Sequence, residues 1–347
     1  MTRIRSRWTL VVGAAAVVCV VACGDSTGPD RDAPPTYAAG IEGLTAPFTG
    51  NRAFQSQRWL AQYFDLYAGV ASTGARSGPR TSLVAGAIGG LRTPVGLGPR
   101  APMAAFDGIP SSVFGRTFVW DSGLRHYLLD SSVAGAPQDG VRFRLYAVDT
   151  LLEEPLAPLQ QEGWTDLQDR STTQNTRVEV TVHSLSQETA RYQITRLVGS
   201  ASAGVNAFGS IESGGGLDLD VDLVVSYAGL AADYLITGPN GIAARLLMNI
   251  SDVSQTATLT WRLAHGADTV AVDLHASAAS QGYSGTLTLR GAAVATVSGD
   301  LAAPTIVGTG ARQLTTGDLE ALRALVAGFV TLVAAVDGVF APGWAVL

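Results

Sequence analysis

Along this chain the spacing of hydrophobic and polar positions changes several times, and each change marks an element. Over residues 113–307 the period is two. In TRVEVTVHSL, Val178, Val180 and Val182 share a face opposite Arg177, Glu179 and Thr181. In TATLTWRLAH, Leu259, Trp261 and Leu263 oppose Thr258, Thr260 and Arg262. VFGRTFVW, VRFRLYAV, ARYQITRLV, LDLDVDLVVSY, TVAVDLHASA and GTLTLRG read as strands too. Successive strand side chains point to opposite faces, so this alternation predicts a sheet with one dry face and one wet face. Short turn-forming stretches separate the runs: Asp121-Ser122-Gly123, Gly238-Pro239-Asn240-Gly241, His265-Gly266-Ala267-Asp268 and Ser280-Gln281-Gly282. Connections this short make neighbouring strands antiparallel. The predicted fold class is therefore mainly β: an antiparallel meander or half-barrel of roughly ten to fourteen strands. It occupies 113–310, with 150–176 as its one long loop.

Helical spacing flanks this sheet. Phe54, Trp59, Leu60, Tyr63, Phe64 and Tyr67 recur with Gln57, Arg58, Gln62 and Asp65 between them, predicting a helix over about 52–68. Its only basic residues are Arg52 and Arg58, which suits packing on the core better than lying on a membrane surface. The rest of 51–112 contains GAIGGLRTPVGLGPRAP, where glycine and X-Pro steps interrupt helix and strand alike. That stretch is expected to be irregular, a lid or a mobile segment. Within 311–347, Thr315 and Asp318 fit a capping box ahead of Leu319, Leu322, Leu325, Val326, Phe329, Val330 and Val333. The uncharged run 324–336 is shorter than the roughly 20 residues a bilayer span needs, so this helix is expected to pack on the dry face of the sheet. Residues 23–50, rich in Gly, Pro, Ser, Thr and Asp, read as a flexible tether reaching on the order of 30 Å.

The first residues carry a different signal. Arg3, Arg5 and Arg7 precede an uncharged apolar stretch over 10–22, and Val20-Val21-Ala22-Cys23 then gives way to small polar residues. This resembles the lipobox of bacterial lipoproteins, with Val20 where leucine is commoner. The resemblance covers only the start of the chain. It implies a signal peptide over 1–22, a diacylglyceryl group on the Cys23 thiol, cleavage before Cys23 and acylation of the new amine by a palmitate-type chain. It also implies export, with the membrane as a partner through that lipid. Gly24, rather than Asp, resembles lipoproteins passed on to the outer membrane.

Composition narrows the chemistry. Cys19 and Cys23 are the only cysteines, so a processed chain has no disulfide, no catalytic thiol and no thiolate metal site. The chain has no lysine, which removes Schiff-base chemistry and the phosphate-loop lysine. The formal charge is −6, without a basic stripe, and this excludes a nucleic-acid binder. With 47% hydrophobic and 15% charged residues, the chain can bury a large core.

The candidate sites are few. Asp218, Asp220 and Asp222 are candidate metal ligands, but they alternate on a strand and lie nearly 7 Å apart, with no glycine turn to gather them. They read better as a solvated acidic face. Of the four histidines, His126 and His183 stand alone, while His265, Asp268, Asp273 and His275 bracket one hairpin and form the candidate acid–base group. Asp149, Glu153, Glu154, Glu162, Asp166 and Asp169 surround Trp164 in the predicted loop, where paired carboxylates beside an aromatic suit sugar binding or hydrolysis. The β region over 113–310 has no G-x-S-x-G elbow and no strand–helix alternation to carry one; no cofactor motif appears, and the glycine run 214–216 reads as a hairpin turn.

Three function classes follow. The favoured one is a non-enzymatic envelope lipoprotein, either structural or a binder of a hydrophobic small molecule or lipid. A one-sided sheet covered by apolar helices resembles the half-barrel lipoproteins that shelter acyl chains, a likeness of architecture and not of motif. The second is a secreted hydrolase of glycans or esters, acting through 149–170 or 265–275. The third is a transmembrane β-barrel. The lipobox, the uncharged C-terminal helix, the end Trp344-Ala345-Val346-Leu347, which lacks a terminal aromatic, and the scarcity of aromatics in the later strands all weigh against it. No protein partner is identifiable from the sequence.

Overall fold

The period-two stretches form strands where the alternation predicts them. The structure is a computed structural model. It describes residues 34–63, 108–149 and 154–346, less 186, 199–201, 213–215, 227, 252, 267, 278–281, 301–302, 310–313 and 345. These residues belong to one unit, 33–347. Cys23, the signal segment and the glycine/proline-rich stretch over 70–107 lie outside the described residues.

The strands are β1 (Arg116–Asp121), β2 (His126–Asp130), β3 (Gly140–Tyr146), β4 (Val148–Asp149), β5 (Glu154–Pro155), β6 (Gln161–Asp169), β7 (Thr176–Ser184), β8 (Glu188–Val198) and β9 (Ser202–Ile211). They continue with β10 (Leu217–Ser226), β11 (Gly229–Thr237), β12 (Ile242–Ser251), β13 (Thr256–His265), β14 (Asp268–Ser277), β15 (Tyr283–Leu289), β16 (Ala292–Gly299) and β17 (Thr305–Gly308). Fifteen of them form one open sheet in the order β17 through β6, then β3, β1 and β2; β4 and β5 pair separately. From β6 to β17 every neighbour is sequential and antiparallel, as short turns require. At the GPNG turn, Asn240 takes φ 61°, a left-handed conformation that asparagine tolerates.

Three features depart from expectation. The sheet has more strands than predicted, because β6 lies within the expected loop and pairs with β3 and β7. The sheet is mixed, since β1 lies parallel to β3. The tether expected up to residue 50 is helix from Pro34 onward, as α1 (Pro34–Thr49). Tyr37, Ile41, Leu44 and Phe48 recur at helical spacing along it and are buried, so tertiary packing overrides its glycines and prolines. Helix α2 (Arg52–Tyr63) starts where predicted and is described to Tyr63.

The last helix, α3 (Thr316–Trp344), carries the apolar residues Leu319 to Val333 as expected and continues to Trp344. Its capping box forms: the Asp318 amide donates to Thr315 Oγ1 at 3.1 Å, and the Thr315 amide donates to Asp318 Oδ2 at 2.9 Å. By length and composition alone α3 could cross a membrane, and half of its most apolar stretch is buried inside the protein.

Alternation divides the sheet into two faces. On the inner face Val221, Tyr234, Leu246, Trp261, Val272 and Leu287 are buried. On the outer face Asp218, Asp220, Asp222, Arg245, Arg262 and Asp273 are exposed. The three helices pack within the same buried core as the inner face.

Candidate functional site

Alpha helix α3 crosses the inner face. Phe329 stacks on Trp261 of β13, with ring centroids 4.9 Å apart, and Phe340 meets Tyr192 of β8 edge-on at 4.8 Å. A Cβ on Gly343 would come within 2.3 Å of Ile194 Cδ1, so glycine permits this close approach of helix and sheet. Pro342 removes a backbone donor from the last turn. There the Tyr192 hydroxyl donates to the Val339 carbonyl at 2.6 Å, and the Gly343 amide bonds to the same hydroxyl. Gln57 of α2 donates to both the Tyr192 oxygen and the Val339 carbonyl, each at 2.9 Å. A side chain is thereby inserted into the hydrogen-bond ladder of α3 and joins α2, α3 and β8 at one point.

Further along the same face, Tyr234 Oη and Trp261 Nε1 are buried and have no hydrogen-bond partner among the described residues. The register places them in one row, with Leu246 of β12 between them. Burial pushes the Tyr234 hydroxyl well above the usual tyrosine range, and the charge of Asp337 on α3 adds to that shift. Asp337 is itself only 3% exposed. The inner layer is thus apolar, filled by side chains, and interrupted by a few buried polar groups.

The residues singled out from sequence lie elsewhere. Asp218, Asp220 and Asp222 do share the outer face of β10, but Asp222 accepts from Asn206 at 2.7 Å instead of joining its neighbours. Among the described residues no group of three His, Asp or Glu side chains could hold a metal ion. The hairpin group divides between faces. His265 and Asp268 are register partners at the strand ends, where Asp268 accepts from Arg290 at 2.6 Å. Asp268 has the parity of the inward-pointing residues, whereas Asp273 and His275 point outward. Asp273 accepts from Thr260 at 2.8 Å. Asp273 and His275 thus share the outward face, as expected, while His265 and Asp268 sit at the strand ends with inward parity and do not join them.

The acids around Trp164 are also dispersed. Glu162 pairs with Arg52 at 3.2 Å, and Asp166 is held by two bonds from Arg142, each 2.7 Å. The Trp164 ring stacks on His183 of β7 at 4.8 Å, and the Arg142 guanidinium of β3 lies 5.0 Å from its centre. Since β3 and β7 flank β6, both ring faces are taken and neither is free to stack on a sugar. Two hollows open on the outer face. One, of about 430 Å³, is lined by Asp222, Val224, Asp233 and Leu247; the other, of about 410 Å³, by Glu179, Arg191, Phe208 and Asp218.

Sequence reasoning passed over Gln57, Tyr192, Tyr234 and Asp337. The one available signal was Asp337, a lone acid at the end of an otherwise apolar helical run. No protein-family model matches the chain, and searches of curated proteins and of solved structures return no similar protein.

Proposed function

We propose that this chain is an exported lipoprotein, anchored in the cell envelope through Cys23, that works without catalysis as a binding module for hydrophobic ligands. The observation that carries this reading is the apolar inner face of an open fifteen-stranded sheet, covered by an apolar helix instead of a second sheet. Side chains fill this layer as it stands, so a ligand with acyl chains would be sheltered there only once α3 moves aside to admit it. The lipobox in the sequence supports the address. A hydrolase is less well supported, because the described carboxylates are dispersed and several are held by arginines. A membrane barrel needs a closed sheet with an apolar outward band, and here the outward positions of β10 to β14 include Asp218, Asp220, Arg245, Arg262 and Asp273.

Two measurements test the reading. Metabolic labelling with a palmitate analogue should mark the wild type and not Cys23→Ala; equal labelling of both removes the anchor. Solvent extraction of the purified protein followed by mass spectrometry should release acyl lipids in near-stoichiometric amount. An extract free of lipid, from protein that also fails to take up added lipid, removes the ligand-binding role and leaves a structural one.

A further inference from the structure

We propose that the layer beneath α3 takes a neutral acyl lipid, one whose chains are ester-linked, in preference to a free fatty acid, with Tyr234 and Trp261 donating to its carbonyl oxygens. This rests on the ligand-binding reading above and names the ligand class. Two donors carry the inference. Tyr234 Oη and Trp261 Nε1 are both at least nine-tenths buried, and neither meets an acceptor among the described residues. A buried donor left unmet costs free energy that an apolar isostere would not. The two residues stand in one register row, their Cα atoms roughly 10 Å apart across one intervening strand. Both face α3 and not solvent. Apolar side chains line the row, with Leu246 between the two donors and Phe329 over the indole, and the buried carboxyl of Asp337 stands near Tyr234. A ligand that satisfies this row is apolar over most of its length and carries acceptor oxygens spaced along it.

Charge selects among such ligands. Asp337 lies close enough to raise the pKa of the Tyr234 hydroxyl through its charge. Two carboxyl groups in one poorly solvated layer disfavour each other's ionised form, so a fatty-acid headgroup beside the buried Asp337 is penalised, whereas an ester carbonyl has no charge to lose. The helix also allows entry on one side. Its far end is pinned by Tyr192 and Gln57 at Val339. Between Leu319 and Val336, no hydrogen bond among the described residues ties α3 to the sheet, so packing alone holds Phe329 over Trp261.

The test uses the full chain with two fluorescent probes of matched chain length, a diacylglycerol and a fatty acid. The wild type should bind the diacylglycerol roughly tenfold more tightly than the fatty acid, and Tyr234→Phe and Trp261→Phe should each weaken diacylglycerol binding by about five- to tenfold. The Tm of Tyr234→Phe should stay level or rise, because its hydroxyl has no partner to lose. A fall of several degrees would show that the hydroxyl is bonded within the protein and would overturn the proposal. Equal affinity of wild type and both variants, or a preference for the fatty acid, would overturn it too, while the broader ligand-binding reading would stand. Failure of both probes to bind would remove that reading along with it.

Discussion

Asp166 is almost inaccessible on a face of the sheet where most charges are exposed, and the bidentate Arg142 guanidinium is what makes that burial tolerable. Removing one partner of such a pair leaves the other charge poorly solvated. Asp166→Asn should therefore lower stability by about 2–3 kcal/mol, somewhat under the fully buried range because both side chains keep some exposure. A drop in the urea midpoint with unchanged slope would register it. The neighbouring His183, stacked on Trp164, gives a pH signature. Burial lowers its pKa below the ordinary 6.5, while the charges of Asp166 and Glu188 pull the other way without reversing the shift. The unfolded chain then binds a proton more readily than the folded one, so stability held above about pH 6.5 is lost as pH falls through and below that value. Asp130, Asp139 and Glu188 are also shifted down, and their contributions disappear only at more acid pH. Urea midpoints measured between pH 7.5 and 5 should fall for the wild type and stay flatter for His183→Gln. Parallel profiles would show that another group titrates in that window.

At the scale of elements, Tyr192 decides how α3 ends. Its hydroxyl serves the Val339 carbonyl, the Gly343 amide and Gln57 together. Tyr192→Phe should cost about 2 kcal/mol and loosen the last turn of α3, seen as faster amide exchange at Gly343. The contrast with Tyr234→Phe is informative: the same atom is removed, but only at Tyr192 does it have partners. The sequence makes some elements legible and hides others, for physical reasons. The β10 to β14 strands were readable because each buries one face and wets the other, which writes the period into the residues. The capping box of α3 was readable because it is local. Helix α1 was hidden although Tyr37, Ile41, Leu44 and Phe48 carry its period, because Gly40, Gly43 and Pro47 suggest a linker. Gly40 is instead where Ile242 packs, 2.8 Å from where a Cβ would stand. Strand β6 was hidden because Glu162 and Asp166 look like loop acids, and the arginines that hold them, Arg52 and Arg142, come from distant parts of the chain. The Tyr192 junction joins residues more than a hundred positions apart, and no window of sequence contains it.

Over the whole molecule, stability should follow how many ladder bonds each strand shares with its neighbours. Strands β10 to β14 pair with one another in continuous registers of nine or ten residues. At one edge, β17 pairs with β16 only from Ala295 to Ser298. At the other, the β1–β2 hairpin joins the sheet through a three-residue parallel register from Arg116 to Phe118. That edge has a second attachment, since Phe118 stacks on Phe143 at 4.9 Å and Tyr127 meets the same ring edge-on at 5.6 Å. Short edges limit unwanted pairing with other chains, and they also open at lower free energy than the centre. Native-state hydrogen exchange should then rank the molecule in three steps. Amides of β17 should exchange fastest, those of β1 and β2 should open together at an intermediate free energy, and β10 to β13 should exchange only through global unfolding. Phe143→Leu removes the aromatic contact without touching the ladder, and it should bring β1 and β2 down toward β17 while leaving β10 to β13 in place. Should β1 and β2 keep the protection of the central strands in that variant, the aromatic cluster is not what secures the edge, and the parallel register holds it alone.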